Sequence, residues 1–191
     1  MTSMNDMGEG AWLVFFLVAQ RLAELAYAQW NTVRLRAAGA VEFGAGHYPF
    51  IVVLHAGWLM ALWIAGHGRP IDPLWFATFV ILQVARLWTL LSLGSRWTTR
   101  ILVLPGAPPV RRGPYRWLRH PNYLIVLLEI VVVPLALGLP GLAAGFGLAN
   151  AGLLAWRIRV ENRALIWART AAAGPEPDRP VHHFVERGER A

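Results

Sequence analysis

Gly113-Pro114-Tyr115-Arg116-Trp117-Leu118-Arg119-His120-Pro121-Asn122-Tyr123 runs directly into an apolar stretch that continues to Leu139 and is closed by Pro140-Gly141. Two arginines, a histidine, two prolines and three aromatic rings are thus packed against a run long enough to enter a bilayer. Lipid tolerates an irregular, charged backbone only where protein or a water-filled cavity surrounds it. Such a cluster reads as a site rather than a simple connector. Gly113-Pro114 demands a turn, Pro121 biases His120 away from helix, and Asn122 reads as the N-cap of the helix that follows. The free N–H groups and positive dipole end of that helix point at the cluster.

Four further apolar runs surround this one. With about 20 residues needed to cross roughly 30 Å of hydrocarbon, the spans are predicted at Ala11–Ala28, His47–Ala65, Pro73–Leu93, Asn122–Leu139 and Gly141–Ile158. The expected fold is all-α: a polytopic membrane protein with five transmembrane helices. Leu139-Pro140-Gly141 makes the last two spans a C-terminal helical hairpin, and the glycines and alanines of the fifth suit close packing. Composition agrees, with 56% hydrophobic residues, mean hydropathy +0.42 and only 15% charged residues.

All 18 basic residues are arginine, and the net charge is +7. These arginines sit at the ends of apolar runs rather than over a soluble surface, so nucleic acid is not the expected partner. Arg34 and Arg36 lie in the first connector, and Arg96, Arg100, Arg111, Arg112, Arg116 and Arg119 in the third. The second holds Arg69 opposed by Asp72, and the fourth has no charge. The positive-inside rule then places the N-terminus outside, and the third connector and C-terminus in the cytoplasm. Asp6 and Glu9 occupy the place of a signal peptide's positive region, so the first run is expected to be a retained span. Residues 1–170 read as one domain, with the cofactor-binding part at 105–165, and 171–191 as a flexible cytoplasmic tail rich in proline and charge.

The absence of cysteine excludes disulfides, thiolate zinc sites and thiol nucleophiles. His47 and His55 could suggest haem, but eight helical residues leave them roughly 80° apart around the axis, so they could not clamp one haem. His47 reads instead with Glu42 and Tyr48 as the polar start of the second span, and no metal is expected. Ionisable residues inside spans mark function by default. Arg21 and Glu24 share a helix face, as do Gln83 and Arg86, and Glu129 could pair with Arg86 or Arg21. A structural ion pair and a substrate contact both remain open; Arg86 and Glu129 are the candidates for holding an anionic or enolic head group.

The segment Arg157-Ile158-Arg159-Val160-Glu161-Asn162-Arg163-Ala164-Leu165 returns, across the predicted hairpin, to the level of His120. Alone it would be an interfacial anchor. Together with the cluster, it makes the chain resemble the isoprenylcysteine carboxyl methyltransferase family over about Pro105–Leu165. The resemblance implies a multi-pass bacterial inner-membrane enzyme using S-adenosylmethionine on the oxygen of a lipophilic acceptor that enters from the bilayer. It implies that Gly113, Tyr115, His120, Pro121, Asn122, Tyr123 and Asn162 bind the cofactor. Glu161 would hold the cofactor's polar end and Arg157 would orient the acceptor. The family usually has a second glutamate where this chain has Asn162, which can form hydrogen bonds but brings no charge.

Ala38-Gly39-Ala40-Val41-Glu42-Phe43-Gly44 with His47-Tyr48-Pro49 resembles a bacterial subgroup associated with polyketide synthases of long-chain pyrones and resorcinols. The favoured acceptor is accordingly a long-chain phenolic or pyrone lipid. Two other classes stay open. Membrane sterol or enone reductases share the C-terminal architecture and bind NADPH. A non-enzymatic lipid-binding protein would tolerate loss of His120 or Glu161.

Overall fold

The computed structural model of the chain describes residues 8–172, with side chains through 168. Its five helices are α1 (Glu9–Ala37), α2 (Tyr48–Gly66), α3 (Pro73–Leu93), α4 (Pro121–Ala136) and α5 (Pro140–Ala172). Two short strands, β1 (Val41–Phe43) and β2 (Ile101–Val103), lie in the first and third connectors. The fold is the expected helical, membrane-type one. By length and composition α1, α2 and α3 can each cross a bilayer, while α4 is a shorter apolar helix of 16 residues. The expected tail falls almost wholly outside the described residues.

Local chemistry explains most helix ends. Asp72 caps α3, its carboxylate accepting from the backbone N–H of Leu74 (2.9 Å) and Trp75 (3.1 Å), with Pro73 in the first turn. α4 stops because Gly138 takes a φ of +65°, so that Leu139 N–H reaches Pro134 C=O (2.8 Å) and Gly138 N–H reaches Leu135 C=O (3.0 Å). That stop delivers the chain straight into α5, and α4 and α5 form the predicted hairpin.

Two helices overrun their predicted spans. α1 continues nine residues past Ala28, and α5 continues from Ile158 to Ala172. Hydrocarbon thickness sets the length of a span, not of a helix. Beyond the apolar run, α1 is held by buried Asn31, which donates to Trp97 C=O (2.9 Å). Arg157–Leu165 is therefore not a separate segment after the hairpin but part of one continuous helix. Asn122 does not cap α4: His120, at φ −132° and ψ 58°, occupies the cap, Pro121 is the first helical residue, and Asn122 lies inside the first turn. Proline's fixed φ starts the helix two residues earlier than an asparagine cap would.

The main core lies between α1, α2, α3 and α4, where Leu17, Trp58, Leu62, Ile130 and Val133 are fully buried. At the far end of α1, Gly10 lets the helix meet the end of α2; an added Cβ would sit 2.0 Å from Gly66 C=O. Inside the bundle the intramembrane charges form one network. Arg21 donates to Glu24 (2.9 Å) and Glu129 (2.6 Å); Arg86 donates through Nε to Glu129 (2.7 Å) and through Nη1 to Glu24 (3.0 Å). Gln83 adds a bond to Glu129 (2.8 Å) and Gln20 one to Gln83 (2.7 Å). The pairing expected of Glu129 thus occurs with both arginines, tying α1, α3 and α4 together.

The small sheet was not foreseen. β1 and β2 pair antiparallel, Val41 opposite Val103 and Phe43 opposite Ile101. A second core of Ile101, Val103, Ala164 and Ala168, with Phe43 and Val160 against it, packs this sheet onto the extension of α5. Glu42 sits at its centre, bonded to Arg36 of α1 and to Arg100 (2.6 Å), while the Arg100 guanidinium lies 4.5 Å over the Tyr48 ring.

Candidate functional site

The turn at Gly113–Arg116 anchors the site to α3. Gly113 has a φ of +56°, and a Cβ there would lie 2.0 Å from Ser92 Oγ, so both the conformation and the close approach require glycine. Arg112 strengthens the contact, its Nε donating to Ser92 C=O (2.6 Å). From this fixed point the chain carries Tyr115 and His120 to the start of α4.

Tyr123, in the first turn of α4, faces Arg157 and Glu161, which lie one helical turn apart on α5. The Tyr123 hydroxyl donates to Glu161 Oε2 and accepts from Arg157 Nε (2.7 Å). The Arg157 guanidinium lies 5.3 Å from the Tyr123 ring centroid. His120 stacks on the same ring, centroids 5.2 Å apart and planes within 5° of parallel. His120 Nδ1 lies 3.7 Å from Glu161 Oε2. Tyr123 is therefore the keystone that aligns a histidine, a carboxylate and a guanidinium.

A cavity of about 970 Å³ opens beside this group. Tyr115, His120, Glu161 and Asn162 line it, whereas Gly113, Pro121, Asn122, Tyr123 and Arg157 are not among its lining residues. Its apolar side comes from Leu35, Leu102, Val103 and Leu165, and the strap at 104–111 contributes Leu104 and residues 106–111 to its lining. Arg96 holds that strap, Nη1 donating to Pro108 C=O (2.5 Å). The connection of Leu35 and β2 to this wall escaped sequence reasoning, because no local signal ties α1 to residues 102–110. Arg96 was legible only as a loop charge.

Several polar groups here await a partner. His120 Nε2 and Asn122 Oδ1 are buried without a hydrogen bond. Both protein contacts to Glu161 fall on Oε2, so Oε1 keeps its acceptor capacity. Burial, and then the charge of Glu161, push the Tyr115 hydroxyl above its ordinary range, so it is a neutral donor at physiological pH. A carboxylate, flat rings and a free imidazole nitrogen beside one cavity suit a ligand with amine or ribose donors and an aromatic base. No group of histidines and carboxylates among the described residues could hold a metal ion. His55 donates through Nδ1–H to Ile51 C=O (2.8 Å), and His47 lies against Trp156, their centroids 5.8 Å apart. Arg86 and Glu129 belong to the separate network inside the bundle, where each is almost fully buried.

The isoprenylcysteine carboxyl methyltransferase (ICMT) family model matches residues 75–167, from the start of α3 through the Tyr123–Glu161 group. The uncharacterized protein YpbQ of Bacillus subtilis (strain 168) is 39% identical over 158 residues, covering 80% of this chain and 94% of that protein. No solved structure matches.

Proposed function

Since the chain belongs to the isoprenylcysteine carboxyl methyltransferase family and is a multi-pass membrane protein, we propose that it is an S-adenosylmethionine-dependent O-methyltransferase of a lipophilic acceptor. The observation that carries this reading is Glu161, clamped by Tyr123 beside a 970 Å³ cavity with His120 Nε2 left unpartnered. The cofactor, when bound, supplies a methyl group already activated by its sulfonium, so the protein's task is alignment.

The chain's residues suit that task. Glu161 Oε1 and Asn162 accept hydrogen bonds from the polar end of the cofactor, and Tyr115 and His120 offer flat faces and donors to the rest. Gly113, Pro121, Asn122 and Tyr123 act through position, holding the turn and the start of α4. Arg157 gives only Nε to Tyr123, and its Nη groups make no hydrogen bond among the described residues. They are free to orient an acceptor oxygen and to stabilise its charge. A carboxylate acceptor, ionised at neutral pH with a reference pKa of about 4, needs no base. For a phenol or enol, His120 or Glu161 is the candidate base.

The favoured acceptor is a long-chain phenolic or pyrone lipid. The segment Val41–Phe43, within the stretch that carries the subgroup resemblance, pairs with β2, whose Leu102 and Val103 form the apolar wall of the cavity. An alkyl tail reaching that wall would arrive from the bilayer. In this reading the excess of arginine puts this end in the cytoplasm, where the soluble cofactor is available, with the N-terminus outside and five spans in all. Arg86 and Glu129 enter this scheme by fixing α3 and α4 around the acceptor's path.

Calorimetry on detergent-purified protein tests the reading. S-adenosylhomocysteine is expected to bind and NADPH not to bind. Binding is lost in His120→Ala and retained in His55→Ala. Binding of NADPH alone would sink the proposal, and a labelled methyl transfer to extracted membrane lipids would identify the acceptor.

A further inference from the structure

Arginines gather near the cavity at the end of α1 (Arg34, Arg36), after α3 (Arg96, Arg100), before α4 (Arg116, Arg119) and within α5 (Arg157, Arg159, Arg163), and they outnumber the acids around them. Among the described residues the acids at this end are Glu42 and Glu161, and both are already engaged. Arg119, Arg159 and Arg163 are exposed and make no ion pair among the described residues. The positive charge at this end is therefore uncompensated by the protein itself.

Tryptophans accompany the arginines. Arg34 lies 5.0 Å over Trp30 on α1, and Arg116 lies 5.8 Å from the Trp117 ring beside α4. Trp30 is 58% exposed and Trp117 70% exposed. Trp117 also meets Trp88 of α3 edge-on, at 6.0 Å, and Leu118 next to it is exposed. Exposed indoles at the ends of apolar helices sit at headgroup depth, where the ring is apolar on one side and wet on the other. A guanidinium stacked on such an indole is held at the same depth, facing the phosphates.

We propose that this tryptophan–arginine collar, with Arg34, Arg116 and Arg119 as its principal cations, binds the headgroups of anionic phospholipids. The occupant follows from charge and depth. A zwitterionic headgroup would leave the excess charge standing, and a soluble anion would have no use for the exposed indoles. Guanidinium is also suited to bidentate contact with phosphate. Arg69, at the opposite end of the bundle, lacks this setting: it bonds the C=O groups of Ala65 and Gly138. Arg116, Trp117 and Arg119 also line the cavity, whereas Arg34 and Trp30 do not, and headgroup binding by the collar does not depend on the reaction proposed there.

Full-length protein in neutral detergent, mixed with equal amounts of phosphatidylglycerol and phosphatidylcholine of identical chains, provides the test by native mass spectrometry of the retained lipid. The wild type is expected to retain phosphatidylglycerol preferentially. Each of Arg34→Gln, Arg116→Gln and Arg119→Gln lowers that preference about fivefold, the effect of one basic residue near an anionic surface. Arg69→Gln leaves it unchanged, and added salt weakens it. Equal retention of the two lipids by the wild type, or an undiminished preference in the triple variant, overturns the proposal. These side chains are exposed, and melting temperatures matching the wild type show that each variant remains folded.

Discussion

Arginine and glutamate meet twice in this molecule, with opposite consequences. Inside the bundle, Arg21, Glu24, Arg86 and Glu129 neutralise one another, and Glu129 is bonded at both oxygens by two arginines and a glutamine. At the end of the bundle, Arg157 and Glu161 stand one turn apart and do not pair with each other. Tyr123 comes between them, taking the arginine's Nε and one carboxylate oxygen. The first arrangement is closed and locks helices. The second holds the same groups in place yet leaves part of their bonding capacity beside a cavity. Residue type alone does not separate a lock from a site; saturation does.

The lock should break hardest. Glu129→Ala removes the buried carboxylate that Arg21 and Arg86 share and leaves Glu24 alone to balance two guanidinium groups, a loss of about 3–5 kcal/mol. The melting temperature of the purified protein is expected to fall steeply or folding to be lost. An unchanged melting temperature would mean that the network carries no stability. At the site the effect shifts from stability to binding. Glu161→Gln keeps the shape but removes a charged acceptor, and S-adenosylhomocysteine affinity is expected to fall about tenfold to a hundredfold, the worth of a hydrogen bond to a charged group. Its melting temperature should hardly move; if stability falls as it does for Glu129→Ala, the two regions are alike and the contrast fails.

Tyr123→Phe is a finer probe, since it removes the bridge but keeps the ring that stacks on His120. Affinity is expected to fall about fivefold to tenfold, near the net value of one hydrogen bond. Acid gives the smallest effect. Burial raises the Glu42 carboxyl, but the hydrogen bonds and charges of Arg100 and Arg36 outweigh it and hold the group below its ordinary 4.5. Its contribution is thus present above that value and lost as pH falls through the lowered one. Glu42→Gln should melt slightly below wild type at neutral pH, and the gap should close in acid. A gap that persists in acid would show that the ion pairs are not its source.

Much of the helical frame was readable because its signals are local. Asp72-Pro73 announces the start of α3, and Leu139-Pro140 the corner of the hairpin. A spacing of four from Arg157 to Glu161 puts them on one face of a helix whatever the surroundings. The same local logic misplaced the cap of α4, because Asn122 and Pro121 are both good starters and proline acts first. It also stopped α1 and α5 where their hydrophobicity ends. Asn31 and Ala164 show why they continue: each is buried by chain that is distant in sequence.

The sequence by itself determined that the chain is helical and membrane-bound, and that a polar cluster at Gly113–Tyr123 faces a second one at Arg157–Asn162. Periodicity, length and turn chemistry act over a few residues, so they leave a linear record. Only the tertiary structure decided which charges are saturated, that Tyr123 stands between Arg157 and Glu161, and that the end of α1 and β2 complete the cavity. Those facts depend on contacts between segments tens of residues apart. Three-residue strands and single side-chain bonds form only once packing has brought their partners together.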